Sequence, residues 1–422
     1  MRVFYIIIYF LILTTASEAQ DFDSSFVLSD EETLKLSGNL DSKYSLYKTR
    51  KTSPLYNLMF YNQDLSDVLS SYRMELYING DYQTKDLGVH VKTHSEYYND
   101  NQFDINLFEL YGNISLFQNM EAIIGKKMFN WGKGYAFNPV GYVNTIKDPE
   151  NPELAKSGIF SINLQYSKSF QSDFINNMAF DLIVIPSIKT INNKISELEY
   201  TDLSVKLYFL IWDTDVDLMG YYSKANSSKI GIDFSRNILP SLEIHCEYSL
   251  FDNHSKYTVS DSILMLEKIS GSSYLIGIRW LNELNMTFIL EYYHNDAGLL
   301  LKEYEEYNKF LLNAISSENN ISLSEALNMN KNYFTSPNLM QNYLYLKISL
   351  PEPFNWVDFT PALYTIYNLN DNSFIIGMPL SYKPVTNFEF ILWPTIIIGY
   401  DSTEYGSKQY KEKLDMWMRF YF

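Results

Sequence analysis

Along most of the chain, apolar and polar residues take turns. Segments of about ten residues alternate with a period of two, the signature of strands with one apolar and one polar face. In 71–80, Tyr72, Met74, Leu76 and Ile78 oppose Arg73, Glu75, Tyr77 and Asn79. In 199–210, Leu203, Val205, Leu207 and Phe209 oppose Asp202, Ser204, Lys206 and Tyr208. In 241–251, Leu242, Ile244, Cys246, Tyr248 and Leu250 oppose Glu243, His245, Glu247 and Ser249. In 413–422, Leu414, Met416, Met418, Phe420 and Phe422 oppose Asp415, Trp417, Arg419 and Tyr421. The pattern predicts strands near 33–45, 71–80, 86–96, 104–117, 119–128, 158–168, 177–186, 199–210, 212–223, 228–237, 241–251, 272–281, 284–294, 343–350, 357–368, 372–382, 386–399 and 413–422. Residues 55–61 fit either an extra strand or a loop.

The connections sort by parity. The short ones, at 118, 211, 238–240, 282–283, 351–356 and 383–385, are even-numbered in this strand order. The long ones, 46–70, 129–157, 187–198, 252–271, 295–342 and 400–412, are odd-numbered. A β-sandwich has no reason to sort its loops this way. A barrel with short turns on one side of a membrane and long loops on the other does. Pro240, Pro351, Pro353 and Pro384 fall in the short turns. The fold expected is all-β: a transmembrane antiparallel up-and-down barrel of 16–18 strands, about 18, forming one domain over 33–422. Segment 298–335 breaks the alternation and reads as one or two short helices in an extracellular loop, with Ser322 or Ser324 as a candidate N-cap.

The first residues, MRVFYIIIYFLILTTASEAQ, read as an export signal over 1–19, with Arg2 before an apolar core and small residues at Ser17 and Ala19. Residues 20–32 would then be a short periplasmic segment. No later stretch is long and apolar enough for a membrane-spanning helix. Aromatic residues make up 16% of the chain, with 36 Tyr and 27 Phe, and pairs such as Tyr221-Tyr222 and Tyr292-Tyr293 fall near strand ends, where interfacial girdles would use them. The formal charge of −17 speaks against nucleic acid as a partner, because no basic stripe exists to replace phosphate counterions. A single cysteine, Cys246, rules out an internal disulfide framework, and its alternation places it on the apolar face.

Residues 123–149 (IIGKKMFNWGKGYAFNPVGYVNTIKDP) concentrate candidate chemistry. Two glycines flank Lys133, and Trp131, Tyr135 and Phe137 are costly to leave in water, so this loop should pack inward on the wall and narrow the pore or else cap the rim. Gly125-Lys126, Trp131-Gly132, Gly134 and Pro139 resemble a stretch of the DUF1302 and alginate-export-like group of exported barrels. That resemblance implies a channel of about eighteen strands, mostly monomeric. The inward positions here mix both signs, unlike the strongly basic lumens of alginate exporters, so no particular solute is implied. The alternation back from Phe422 through Phe420 and Met418 resembles the C-terminal signal read by barrel-assembly machinery, which pairs with a client's last strand edge to edge.

Taking polar faces as lumen gives Arg73, Glu75, His90, Lys92, Glu109, Lys127, Lys206, Glu243, His245, Glu247, Arg279, Glu291, Lys347, Asp415 and Arg419. The candidates for pore constriction and solute contact are Lys127, Trp131, Lys133, Tyr135, Arg73, Lys206, Glu243 and Arg279. Alternate residues of one strand stand about 6.6–6.8 Å apart, too wide for Glu243, His245 and Glu247 to hold a metal alone. No nucleophile-elbow or zinc-protease motif occurs. No enzyme activity, metal or cofactor is therefore expected. The expectation is a porin-like channel for passive diffusion of small hydrophilic solutes, with 129–157 as constriction. The alternative is a non-transport surface barrel, an adhesin or structural protein, acting through its loops. The partners expected are outer-membrane lipid, the assembly machinery and the solute.

Overall fold

The computed structural model describes residues 25–29, 32–99, 102–172, 174–192 and 197–422. The signal segment 1–19 and the start of the 20–32 segment lie outside the described residues. Eighteen strands form one closed antiparallel barrel. They are β1 (Glu32–Thr49), β2 (Val68–Gln83), β3 (Leu87–Tyr98), β4 (Phe103–Phe117), β5 (Met120–Lys127), β6 (Ile159–Ser169), β7 (Ile175–Ile185), β8 (Asp202–Ile211) and β9 (Thr214–Tyr222). Then follow β10 (Ser228–Leu239), β11 (Leu242–Ser260), β12 (Ile263–Leu281), β13 (Thr287–Asn295), β14 (Asn342–Ser349), β15 (Phe359–Asn368), β16, β17 (Phe388–Ile398) and β18 (Tyr410–Tyr421). β16 comes in two pieces, Phe374–Gly377 and Leu380–Val385, broken around Pro379, which has no N–H for the ladder. A further short strand, Ser25–Ser29, pairs with the start of β1.

Polarity runs opposite to that of a soluble protein. The exposed side chains of β10–β12 include Ile230, Ile232, Tyr248, Leu250, Ile276 and Ile278. Their alternating neighbours Asp233, His245, Glu247 and Ser249 are buried. An apolar outside and a charged inside suit a wall with lipid on one side and a polar lumen on the other. Cys246 stands on the outward parity, half-buried and free.

The barrel closes where β1 meets β18, with Asn39 opposite Tyr421 and Tyr47 opposite Lys413. Phe422 exchanges backbone hydrogen bonds with Gly38 (2.8 and 3.0 Å). A Cβ at Gly38 would lie 2.6 Å from the Phe422 ring and 2.2 Å from the Tyr77 carbonyl oxygen, so only glycine fits. On the lumen side, Arg419 forks onto Asp41 through two 2.8 Å bonds. Lys43 donates to Glu75 at 2.7 Å, and Ser45 donates to Asp415 at 2.5 Å. Ion pairs thus cross the seam strand by strand.

The long connections differ from the sequence expectation at several points. Residues 55–61 contain neither strand nor plain loop but a helix, α1 (Pro54–Met59), whose N-cap Ser53 accepts from the Tyr56 N–H. Segment 252–271 is no loop: β11 and β12 stay paired out to Ser260 and Ile263, giving a hairpin that outruns the wall. A one-turn helix, α2 (Lys189–Asn192), lies in the connection before β8. The expected helical insert is two helices, α3 (Leu301–Ser316) and α4 (Asn320–Tyr333). The N-cap of α4 is Asn319, and Ser322 and Ser324 lie inside the helix. Tyr304, Tyr307, Leu311 and Ala314 share one face of α3 at helical spacing, and all are buried.

Arg419→Ala removes the fork that covers Asp41. It should cost about 2 kcal/mol, less than a fully buried pair because Arg419 keeps some contact with solvent. Urea unfolding in bilayers, read by gel mobility, checks this; an unmoved midpoint would remove the seam network from the account of closure.

Candidate functional site

The 128–158 connection does not stand outside the barrel. It turns inward and lies against the wall. Phe129, Trp131, Val140 and Val143 pack with Ile183, Ile185 and Met219 of β7 and β9. Farther along, the Phe137 ring stacks on Tyr293 of β13 at 4.6 Å and 8°. Ala136 and Phe137 join Tyr343 and Tyr345 of β14 in a second apolar cluster.

Two buried wall carboxylates hold the stretch between these clusters. Glu247 Oε1 accepts from the backbone N–H groups of Lys133 and Gly134, both at 2.6 Å, and from Asn138 Nδ2 at 3.0 Å. Glu247 Oε2 accepts from the Val140 N–H at 3.2 Å. Glu291 accepts from the N–H groups of Tyr135 and Ala136, the latter at 2.9 Å, and pairs with His245 Nε2 at 3.0 Å. Lys147 Nζ donates to the carbonyls of Gly134 (2.7 Å) and Tyr135 (3.0 Å). Successive N–H groups pointing one way form a concave nest that suits an anion. Gly132, with φ of +93°, makes the turn; a Cβ there would sit 2.7 Å from the Glu247 carboxylate. Trp131 is braced by Asn144, which accepts from its N–H (2.9 Å) and donates to its carbonyl (2.7 Å). Glu247 lies five residues up β11 from Leu242, about 17 Å along the strand, so the loop reaches well down the barrel.

Five of the eight residues singled out from sequence gather at this loop. Lys133 Nζ sits 2.9 Å from Asp217 and 3.9 Å from Asp233 on β9 and β10. Burial alone would lower its pKa, but the bond to Asp217 and the charges of both aspartates raise it. The Tyr135 hydroxyl donates to Glu153 at 2.6 Å and receives Lys347. Burial and that carboxylate push its pKa far up. Lys206 lies over the Trp131 ring at 5.6 Å, near Asp181 at 3.9 Å. Lys127 lies over Tyr111 (5.4 Å) and Phe129 (5.8 Å). Lys126, by contrast, points away and donates to the Leu107 carbonyl. Lys127 also borders a recess of about 230 Å³ lined by Asp81, His90, Tyr111, Asn113 and Glu121.

The other three do not touch the loop. Arg73 pairs with Glu75 (2.7 Å) and Glu96 (3.7 Å) in the seam network. Glu243 and Arg279 face each other toward the short-turn end of β11 and β12, and Glu243 stands 3.5 Å from His245, so it reaches the loop's anchor Glu291 through that ring. Sequence reasoning put Glu247 and Glu291 on the lumen face but gave them no role; alternation shows the face, not the loop that reaches it. Among the described residues, Glu75, His94 and Glu96 bring donor atoms within 4.8 Å of one another, as a metal site would. Lys43 and Arg73, each 2.7 Å from Glu75, already supply the positive charge there.

Above the loop the mouth is packed. Leu58 of α1, the buried face of α3, Leu323 and Ala326 of α4, Phe137, Tyr345 and Tyr405 form one cluster. Its polar knot is Glu404, buried in the 399–409 connection. Glu404 accepts from the Leu339 N–H and the Tyr343 hydroxyl, both at 2.7 Å, and from Asn368 Nδ2 at 2.5 Å. Lys408 reaches Glu150 of the inward loop at 3.4 Å. Tyr304 of α3 meets Ser407 at 2.9 Å. Loop, lid and wall therefore share one set of contacts.

No family model matches the chain, and no curated protein does. Similar solved structures do exist. OccK2 (OpdF) of Pseudomonas aeruginosa, solved in complex with glucuronate, is 9% identical with a TM-score of 0.56, over 92% of this chain and 98% of that one. The outer membrane protein OpdK of the same organism is 8% identical with a TM-score of 0.53, over 92% and 98%. OccAB3 of Acinetobacter baumannii is 9% identical with a TM-score of 0.51, over 92% and 99%. At these identities the likeness is one of fold: the chain has the closed eighteen-strand architecture of outer-membrane channel proteins.

Glu247→Ala leaves three backbone N–H groups without their acceptor. Hydrogen bonds to a charged group contribute about 1.5–3 kcal/mol each, so amide exchange over 133–140 should quicken at least about a hundredfold. Unchanged exchange would show that apolar packing alone seats the loop.

Burial, with the charge of Asp371 beside it, pushes the Glu404 carboxyl up to about 7 from its ordinary 4.5, against its hydrogen bonds. The packed mouth thus holds a proton more tightly than an opened one. Its stability falls as pH rises from about 4.5 through about 7, and is level above that. Exchange over 399–409, corrected for intrinsic chemistry, should be roughly tenfold or more faster at pH 8 than at pH 5. Glu404→Gln should flatten that dependence, and a steep dependence surviving in it would assign the effect to another group.

Proposed function

We propose that the protein is an outer-membrane channel for passive diffusion of small hydrophilic solutes, with the 129–157 loop as its constriction. The observation that carries this reading is the buried pair Glu247 and Glu291, which anchors the loop's backbone inside the lumen rather than at the rim. An eighteen-strand barrel without such a loop would leave a wide aqueous channel. With it, the passage runs beside Lys127, Lys206 and Asp181, groups of both signs next to the rings of Trp131 and Tyr111. Such a lining selects by size and by the transverse field across the gap, more than by one sign of charge. The local likeness of Gly125–Pro139 to the DUF1302 and alginate-export-like group supports the same reading and no particular solute. Phe420, exposed on β18, and Phe422, exposed just past its end, would serve as the insertion signal for the assembly machinery.

The packed helices α3 and α4 favour a second reading, a surface barrel that acts through its loops and does not conduct. Planar-bilayer recording separates the two. Purified protein should give discrete conductance steps, and deleting 131–139 should raise them severalfold, because the narrowest section sets the resistance. Glu247→Ala should raise them less. Inserted barrels that stay silent, with or without the loop, would overturn the channel.

A further inference from the structure

One short-side connection is unlike its neighbours. β4–β5, β8–β9, β10–β11 and β16–β17 are joined by two residues each, at 118–119, 212–213, 240–241 and 386–387. β14 and β15 are joined by 350–358, PEPFNWVD preceded by Leu350. This turn is well defined. The Glu352 N–H donates to the Phe359 carbonyl at 2.7 Å, the Asn355 N–H to the Glu352 carbonyl at 3.2 Å, and the Trp356 N–H to the Pro353 carbonyl at 3.1 Å. Four of its non-glycine residues hold positive φ: Glu352 (51°), Phe354 (58°), Asn355 (59°) and Asp358 (60°). Such conformations are strained for residues with a Cβ and persist where their surroundings require them.

What the strain presents is apolar. Phe354 is fully exposed, and Val357 and Trp356 keep 63% and 54% of their surface free. The Trp356 ring lies 4.4 Å from Phe359 and 5.6 Å from Tyr382. Phe359 and Tyr382 are register partners, and the same cross-strand row continues through Phe390 to Met418. Phe390 and Met418 are exposed, on the face that carries the lipid-facing side chains. The turn therefore leans outward and continues the apolar belt past the end of the wall. The Glu352 carboxylate folds back onto the turn's base, where it accepts from the Asp358 N–H at 3.2 Å. Tryptophan beside aliphatic and phenyl side chains, with an indole N–H free to reach headgroups, matches the chemistry of a membrane–water boundary.

We propose that the 353–357 turn is a membrane-interface wedge: Phe354, Trp356 and Val357 insert at the headgroup–acyl boundary of the periplasmic leaflet, and lipid is their partner. This rests on the barrel spanning a membrane, and the test separates the two claims. A nitroxide is placed at Phe354→Cys or Val357→Cys on a Cys246→Ser background, in phosphatidylcholine–phosphatidylethanolamine vesicles. Ile276→Cys on the mid-wall lipid face and Asp261→Cys at the extracellular hairpin tip serve as references. Collision with oxygen is compared with collision with a water-soluble nickel complex. At 354 and 357 the oxygen preference should come within about twofold of that at Ile276. A nickel preference like that of Asp261 would overturn the wedge while leaving the barrel in its membrane. Shielding from both reagents would mean a protein partner and also overturn it. Nickel preference at Ile276 itself would overturn the membrane reading and the wedge with it.

Discussion

Glu247 and Glu291 sit on the barrel wall where water scarcely reaches them, and a buried carboxylate must find donors close by. Here the donors come from a loop that begins on β5, across the lumen from β11 and β13. The N–H groups of residues 133–136 meet the acids, and the carbonyls of 134 and 135 meet Lys147. Backbone polarity is thus satisfied inside the lumen without secondary structure. That single arrangement decides how deep the loop lies, and so what the passage looks like. The aromatic residues on either side seal it from water, which strengthens each of these bonds.

The same rule explains the rest of the wall. Where lipid faces the strands, no polar group could be satisfied, and the side chains are apolar. Where the strands face inward, charges are abundant but paired, as in the row from Arg419 and Asp41 to Lys43 and Glu75. Such pairs give register more than net stability, because each charge lost some hydration to enter. At the β1–β18 seam that register matters most, since closure brings together the two ends of the barrel domain.

At the mouth, Glu404 collects donors from three directions, and Lys408 ties its loop to Glu150 of the inward loop. α3 rests on this knot through Tyr304 and Ser407. The lid and the constriction are therefore not independent parts. A change that loosened the 399–409 connection would act on both.

The period-two alternation was enough to place all eighteen strands, their faces and the lumen charges, because each strand writes its two environments residue by residue. Loop parity agreed with the up-and-down order of the strands, although 99–102, 223–227, 261–262 and 369–373 are short on the long-loop side. The aromatic and glycine content of 123–149 marked the loop that turns inward, and four of its candidate residues meet there with Lys206 from the wall. What alternation could not show was distance across the barrel. Arg73 shares the lumen face with Lys127 yet belongs to the seam network, Glu243 reaches the loop only through His245 and Glu291, and Glu247 and Glu291 needed the loop to reveal their part. Residues 252–271 looked like a loop because their pairing depends on the partner strand, not on a lipid face. Local patterning records which side of the sheet each residue occupies; only closure of the sheet decides which residues from opposite walls meet.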